Sequence, residues 1–128
     1  MTEDYQCPFC DENVILRQQV YETATERVLH NIRPATRGQC LVIPKRHVVR
    51  MGELSREEFE QLMGTVHDVS DQLIKYLQPV GMNYGWNDGI WAGQSVWHFH
   101  VHLMPRYHGD VLPQYHLFHR HPGSKQDL

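Results

Sequence analysis

The run Ser95-Val96-Trp97-His98-Phe99-His100-Val101-His102-Leu103 alternates strictly between imidazoles and bulky apolar side chains. A period of two predicts a β-strand over Trp97 to Met104, because residues i, i+2 and i+4 of a strand share one face. His98, His100 and His102 then point one way, while Trp97, Phe99, Val101 and Leu103 point the other way, into a core. Imidazole is the side chain best matched to metal ligation, proton transfer and nucleophilic attack near neutral pH. Three of them on one face mark this strand as the candidate functional element.

Alternate strand residues lie ~7 Å apart. Neighbours in the triad can share an ion, but His98 and His102, about twice that distance apart, reach a common one only with difficulty. A division of labour suits the geometry better, with one end binding metal and the rest facing a substrate. Upstream, Cys7-Pro8-Phe9-Cys10 has the knuckle spacing of a zinc site, and tetrahedral zinc commonly takes two thiolates and two imidazoles. His47, just after Ile43-Pro44-Lys45-Arg46, and His98 are the natural partners. A redox pair or two unrelated thiols are the other readings of that spacing. Cys40, inside an apolar stretch, reads as core. Directly before the triad, Gly93-Gln94-Ser95 combines a backbone that can approach a ligand with two hydrogen-bonding side chains. That is the composition of an anion site, or of a plain turn.

Further out, residues 14–21 and 27–32 read as two strands around the polar turn Glu22 to Glu26. Cys40-Leu41-Val42-Ile43 is a short strand stopped by Pro44. A helix is predicted from Ser55 to Gln78: Ser55-Arg56-Glu57-Glu58 is a capping box, and Pro79 and Gly81 end the segment. Phe59, Leu62, Met63, Val66, Val69, Leu73, Ile74 and Leu77 form one apolar stripe, read as sheet-covering core ahead of a partner groove. Met82 to Asn87 is a further strand and Asn87-Asp88-Gly89 a turn. Short strands with one long helix inserted predict an α+β domain with a mostly antiparallel sheet. After Arg106 the chain turns irregular and rich in histidine (His108, His116, His119, His121).

The chain has 128 residues, enough for one domain with a single core. A net charge of −3 provides no basic field, so nucleic-acid binding is not expected. There is no apolar run long enough for a membrane span. Met1-Thr2-Glu3-Asp4-Tyr5 is acidic and polar, unlike a secretory signal, so a cytoplasmic location is expected. In a reducing compartment the C-x-x-C pair favours metal or redox chemistry over a structural disulfide.

With these residues assembled, the chain resembles the histidine triad (HIT) superfamily over roughly residues 5–110. The matching pieces are His98-Phe99-His100-Val101-His102-Leu103-Met104, Gly93-Gln94-Ser95-Val96 before it, and Leu41-Val42-Ile43-Pro44-Lys45-Arg46-His47. Cys7-Pro8-Phe9-Cys10 is similar to the opening of zinc-containing bacterial members, and Pro105-Arg106-Tyr107 to the dinucleoside-polyphosphate hydrolase branch. Gln-Ser-Val is shared more widely, including with the nucleoside phosphoramidase branch.

The resemblance implies a five-stranded, mostly antiparallel sheet with one long helix and a short one, pairing across a homodimer through that long helix and a sheet edge. It divides the chain into a HIT-like domain over 1–110 and a His-rich tail over 111–128, which belongs to the same domain or completes the partner's pocket. It implies hydrolysis of a nucleotide substrate, a nucleoside monophosphate joined to a leaving group, as in a dinucleoside polyphosphate or a nucleoside phosphoramidate. His100 would attack the α-phosphate to give a covalent nucleotidyl-imidazole. His102 would hydrogen-bond the phosphate, with Gln94 and Ser95 near the phosphate or leaving group. Asn87 falls at another phosphate-side position and Asn31 at the ribose position. Cys7, Cys10, His47 and His98 would carry structural zinc. The alternatives are a nucleotidylyltransferase, with a second substrate in place of water, and a non-catalytic zinc-stabilised nucleotide-binding protein. Two departures stand out: Gln39 replaces a histidine common after Gly38 in relatives, and Trp86, Trp91 and Trp97 are bulky residues that would either gate the site or pack a dimer.

Overall fold

The long helix obeys its sequence signals closely. In the computed structural model, which describes residues 5–110, α2 runs Arg56–Leu77. Ser55 Oγ accepts from the Glu58 amide at 3.0 Å, and the Glu58 carboxylate accepts from the Ser55 amide at 2.8 Å, completing the capping box. Gln78, in the left-handed region at φ 50°, ends the helix. Leu62 and Val66 are buried against the sheet, with Met63, Val69 and Leu73 partly buried beside them, so the stripe is sheet-covering core as expected except at Ile74, which is exposed.

The remaining elements are α1 (Glu12–Gln18), β1 (Gln19–Glu22), β2 (Glu26–His30), β3 (Cys40–Pro44), β4 (Gly81–Gly85) and β5 (Val101–Arg106). The five strands form one sheet in the order β1-β2-β3-β5-β4, each antiparallel to its neighbour. After β3 the chain crosses through α2 to the edge strand β4, then returns as β5 into the gap between them. An α+β fold with a five-stranded antiparallel sheet, one long helix and a short one is therefore what the chain adopts.

The alternation of side chains divides the interior between the two sheet faces. On the α2 side, Val28, Cys40, Val42, Phe99, Val101 and Leu103 pack with Leu62 and Val66. On the other side, Leu29, Leu41 and Ile43 pack with Cys7, Phe9 and Ile15 of the N-terminal segment. Cys40 is core, as expected. Trp86 also packs inward, edge-on to Phe59 and Phe99 at centroid distances of 6.0 and 5.5 Å.

Three expectations are corrected. Residues 14–21 are not one strand: α1 occupies most of them, and only β1 is extended. Asp11 caps α1 by accepting from the Asn13 amide at 2.8 Å, and burying Ile15 and Gln18, three residues apart, rewards a helical turn. The histidine strand is also shorter than its alternation. Its ladder begins only at Val101, because the Phe99 amide donates to Val48 O at 2.7 Å rather than to a strand neighbour. Trp97, expected in the core, is only half-buried. Its amide donates to the Tyr5 hydroxyl, and its carbonyl accepts from His47. The remaining expectations for 111–128, including His116, His119 and His121, lie outside the described residues.

Candidate functional site

Cys7-Pro8-Phe9-Cys10 folds into a single tight turn that brings both sulfurs to one side. Pro8 sets its first position and the Cys10 amide donates to Cys7 O at 3.1 Å. His47, three residues beyond β3, and His98, three before β5, meet that turn from the sheet. The ligand atoms of Cys7, Cys10, His47 and His98 all lie within 4.8 Å of one another. His98 Nδ1 is 3.2 Å from Cys7 Sγ and 3.6 Å from Cys10 Sγ, and His47 Nδ1 is 3.7 Å from Cys10 Sγ.

Both rings are oriented from behind. His98 Nε2 donates to Pro44 O at 2.8 Å, and His47 Nε2 donates to Trp97 O at 2.7 Å. A carbonyl can only accept, so each proton sits on Nε2 and each Nδ1 lone pair faces the sulfurs. Carbonyls that hold the far side of each ring in this way fix the orientation of imidazoles that ligate a metal. Burial, reinforced by His47 and His100, pushes the His98 imidazole down to about 4, against the opposing pull of Pro44 O. It is neutral at physiological pH, as a ligand must be. Burial and then neighbouring Cys10 push the Cys7 thiol up to about 12. Thiolates in that position require a cation, and two sulfurs with two imidazole nitrogens suit a tetrahedral ion such as zinc.

Two residues beyond His98 the same rail carries different chemistry. His100 is buried, and its Nδ1 donates to His98 O at 2.7 Å. By the same acceptor argument Nδ1 carries a proton, which leaves Nε2 as the ring nitrogen that can hold the lone pair. The His102 ring stands 4.9 Å from that of His100, steeply inclined to it. Register places His102 opposite Leu41 on β3 and Gly85 on β4, which puts all three histidines on the face covered by the N-terminal segment.

The other expected site residues are distributed around this rail. Gln94 is buried and its amide is spent on backbone: Oε1 accepts from Gly89 N, and Nε2 donates to Val49 O and Val96 O. It pins the turn that carries Ser95, which is half-buried. Asn87 lies two residues after β4, with its Nδ2 3.5 Å from Gly93 O. Asn31 lies just past β2, its Oδ1 accepting from the Arg33 amide at 3.0 Å. On the β2–β3–β5 register it stands about two strand spacings, ~10 Å, from the histidines on the same face. Contacts in the structure thus join the histidines and cysteines directly, but not Asn31.

Sequence reasoning missed Phe9 and Tyr5. The Phe9 ring meets both His98 and His100 edge-on, at 5.8 and 5.4 Å, and the Tyr5 ring stands 6.4 Å from His47. An aromatic inside the C-x-x-C was the available signal for Phe9. The orienting carbonyls of Pro44 and Trp97 leave no trace in sequence.

Comparison with known proteins places this site in context. The HIT domain pattern matches residues 12–109. A solved HIT family protein of Bacillus anthracis shares the fold with a TM-score of 0.79 at 34% identity, covering 98% of this chain and 86% of that one. A Zn-bound histidine triad family protein of Mycobacterium smegmatis aligns with a TM-score of 0.68 at 28% identity, over 97% and 79% of the two chains. The bis(5'-nucleosyl)-tetraphosphatase of Schizosaccharomyces pombe is 37% identical over 93 residues, which is 73% of this chain and 51% of that enzyme.

Proposed function

Because the chain belongs to the HIT domain family, we propose that it is a nucleotide hydrolase working through a covalent nucleotidyl-histidine. Its substrate is a nucleoside monophosphate joined to a leaving group, as in a dinucleoside polyphosphate or a nucleoside phosphoramidate. The observation that carries this reading is the 2.7 Å bond from His100 Nδ1 to His98 O, which fixes the tautomer with the lone pair on Nε2. His100 Nε2 forms a bond to the α-phosphorus as the bond to the leaving group breaks, and water then breaks the P–N bond. Two easier displacements, the first by a good nucleophile and the second at an activated P–N bond, replace one difficult one. Similarity to a bis(5'-nucleosyl)-tetraphosphatase supports this substrate class.

Around the nucleophile, His102 hydrogen-bonds the phosphate, and Ser95 lies on the phosphate or leaving-group side. Asn87 serves the phosphate and Asn31 the ribose. Gln94 contributes by holding the turn beneath them. Cys7, Cys10, His47 and His98 hold one structural zinc, a reading supported by the Zn-bound relative. That zinc supplies rigidity to the segment carrying His98.

Cys7, Cys10 and Cys40 form no disulfide, which suits the cytoplasm, and no helix among the described residues is long and apolar enough to cross a membrane. The protein acts as a homodimer, paired through the edge strand β4 and the outer face of α2, where Tyr84 and Ile74 are exposed. Sedimentation at the mass of two chains checks the pairing; a single-chain mass refutes it.

His100→Ala is expected to lower turnover of dinucleoside polyphosphates and phosphoramidates by at least about 10³-fold. Nucleotide binding and thermal stability stay near wild type. Intact-mass spectra of quenched wild-type reactions show a nucleotide adduct on His100 that the variant lacks. Undiminished turnover in the variant would overturn the mechanism.

A further inference from the structure

The loop that joins β4 to β5 leaves and re-enters the sheet beside the histidines. Register sets Gly85 opposite His102, so Asn87, two residues on, comes level with His100 one strand spacing away. Ser95 closes the loop three residues before His98. Between them lies a tight turn, Ile90–Ala92, bounded by Gly89 and Gly93 at φ 94° and 97°, a conformation that favours glycine. Hydrogen bonds hold it from both ends. Ala92 N and Gln94 N donate to Gly89 O at 3.1 and 3.0 Å, Gly93 N to Ile90 O at 3.0 Å, and Gly89 N to Gln94 Oε1 at 2.8 Å. At its tip stands Trp91, 88% exposed, the most exposed large apolar side chain among the described residues. A cation flanks the turn. The Arg50 guanidinium lies 3.2 Å from the point where a side chain on Gly89 would begin. Its neighbour Met51 is tied to the same loop, since Asp88 Oδ1 accepts from the Met51 amide at 3.3 Å. Arg27, Arg46 and Arg106 are each paired with a carboxylate. The Arg50 guanidinium is exposed and has no hydrogen-bond or ion-pair partner among the described residues.

We propose that Arg50 and Trp91 form the subsite for the leaving half of a dinucleoside polyphosphate, Arg50 meeting its phosphates and Trp91 stacking on its base. The inference rests on the covalent reading of His100, and it selects the polyphosphate over the phosphoramidate as the substrate class. A guanidinium matches phosphate in charge and in the geometry of its paired donors. An indole face stacks on any base, and a turn braced by hydrogen bonds presents it with little further ordering to be done on binding. Along the loop from the level of His100 come Asn87, then Gly89 with Arg50 beside it, then Trp91. That order is the order of the substrate: α-phosphate, further phosphates, base. An amine leaving group brings no phosphates for Arg50 to meet.

Steady-state kinetics with diadenosine tetraphosphate and with AMP phosphoramidate, whose leaving group is ammonia, test this. Trp91→Ala and Arg50→Gln are each expected to lower kcat/KM for diadenosine tetraphosphate at least about fivefold, with less than about twofold change for the phosphoramidate. Trp91→Phe keeps a stacking face and is expected to restore most of the loss. Equal effects on both substrates, or none on either, would overturn the subsite and leave the His100 mechanism standing. So would a wild type that turns over the phosphoramidate alone. Calorimetry on the His100→Ala background reads binding apart from chemistry. Diadenosine tetraphosphate is expected to bind at least about fivefold more tightly than AMP, an advantage that Trp91→Ala removes. Equal affinity for the two would overturn the subsite alone, whereas binding of neither would remove the nucleotide reading with it. If Trp91→Ala sediments as one chain where wild type sediments as two, Trp91 lies between copies and the proposal is overturned.

Discussion

His98 sets the chemistry of its surroundings through three separate atoms. Its Nδ1 faces the two sulfurs, its Nε2–H is held by Pro44 O, and its carbonyl fixes the tautomer of His100. The residue between the candidate metal site and the proposed nucleophile is therefore placed to act as a ligand and an orienting group at once. Phe9 reinforces the arrangement, since one ring touches both imidazoles. Cys7→Ser should then reduce bound zinc from about one ion per chain to well below that, because a hydroxyl is a poor zinc ligand. A loss of roughly 5–10 °C in Tm is expected, as metal binding and folding are linked. Elemental analysis and thermal unfolding read both effects. A variant that keeps its zinc and its Tm would remove the metal assignment and leave His100 untouched.

At the scale of elements, the clearest contrast is between α2 and α1. The long helix carries its own start, stripe and stop, and each was legible in sequence. The short helix lies in a stretch rich in Val, Ile and Leu whose β-propensity points the other way; capping by Asp11 and burial of Ile15 reverse it. The capping box also makes a pH prediction. Hydrogen bonds from Arg46, at 2.8 Å each, and from the Ser55 amide pull the Glu58 carboxyl from its ordinary 4.5 down to about 2. A carboxyl depressed by folding stabilises the native state above its ordinary value, and that contribution fades as pH falls towards the folded one. The stability difference between wild type and Glu58→Gln should be constant above pH 4.5 and shrink towards zero near pH 2. The exposed setting keeps it small. Urea midpoints measured across that range provide the check, and a pH-independent difference would refute the assignment.

Across the whole molecule, the sheet separates two tasks. The α2 side is a conventional core, whereas the other side packs the N-terminal segment against the histidines. One buried carboxylate ties the helix to the sheet. Glu26, at the start of β2, accepts from Thr65 Oγ1 of α2 at 2.7 Å and from Thr23 Oγ1 at 2.8 Å, with Thr25 Oγ1 on its second oxygen. Thr65→Val removes one of those donors from a buried acceptor and is expected to cost about 1–3 kcal/mol. Chemical denaturation measures it, and an unchanged midpoint would mean that water replaces the hydroxyl.

The sequence alone determined whatever is encoded by spacing along a single element. A period of two put three imidazoles on one face, the capping box and apolar stripe bounded α2, and C-x-x-C announced a pair of thiols. The knuckle chemistry even nominated His47 and His98, and the structure gathers those four residues. What only the tertiary structure decided depends on atoms that no side-chain pattern records. The carbonyls of Pro44, Trp97 and His98 choose the imidazole tautomers, and Val48 O draws Phe99 out of the ladder. Gln94 braces the turn before the triad because three backbone groups converge on its amide. Backbone donors and acceptors are the same at every residue, so only the fold determines which of them meet a given side chain.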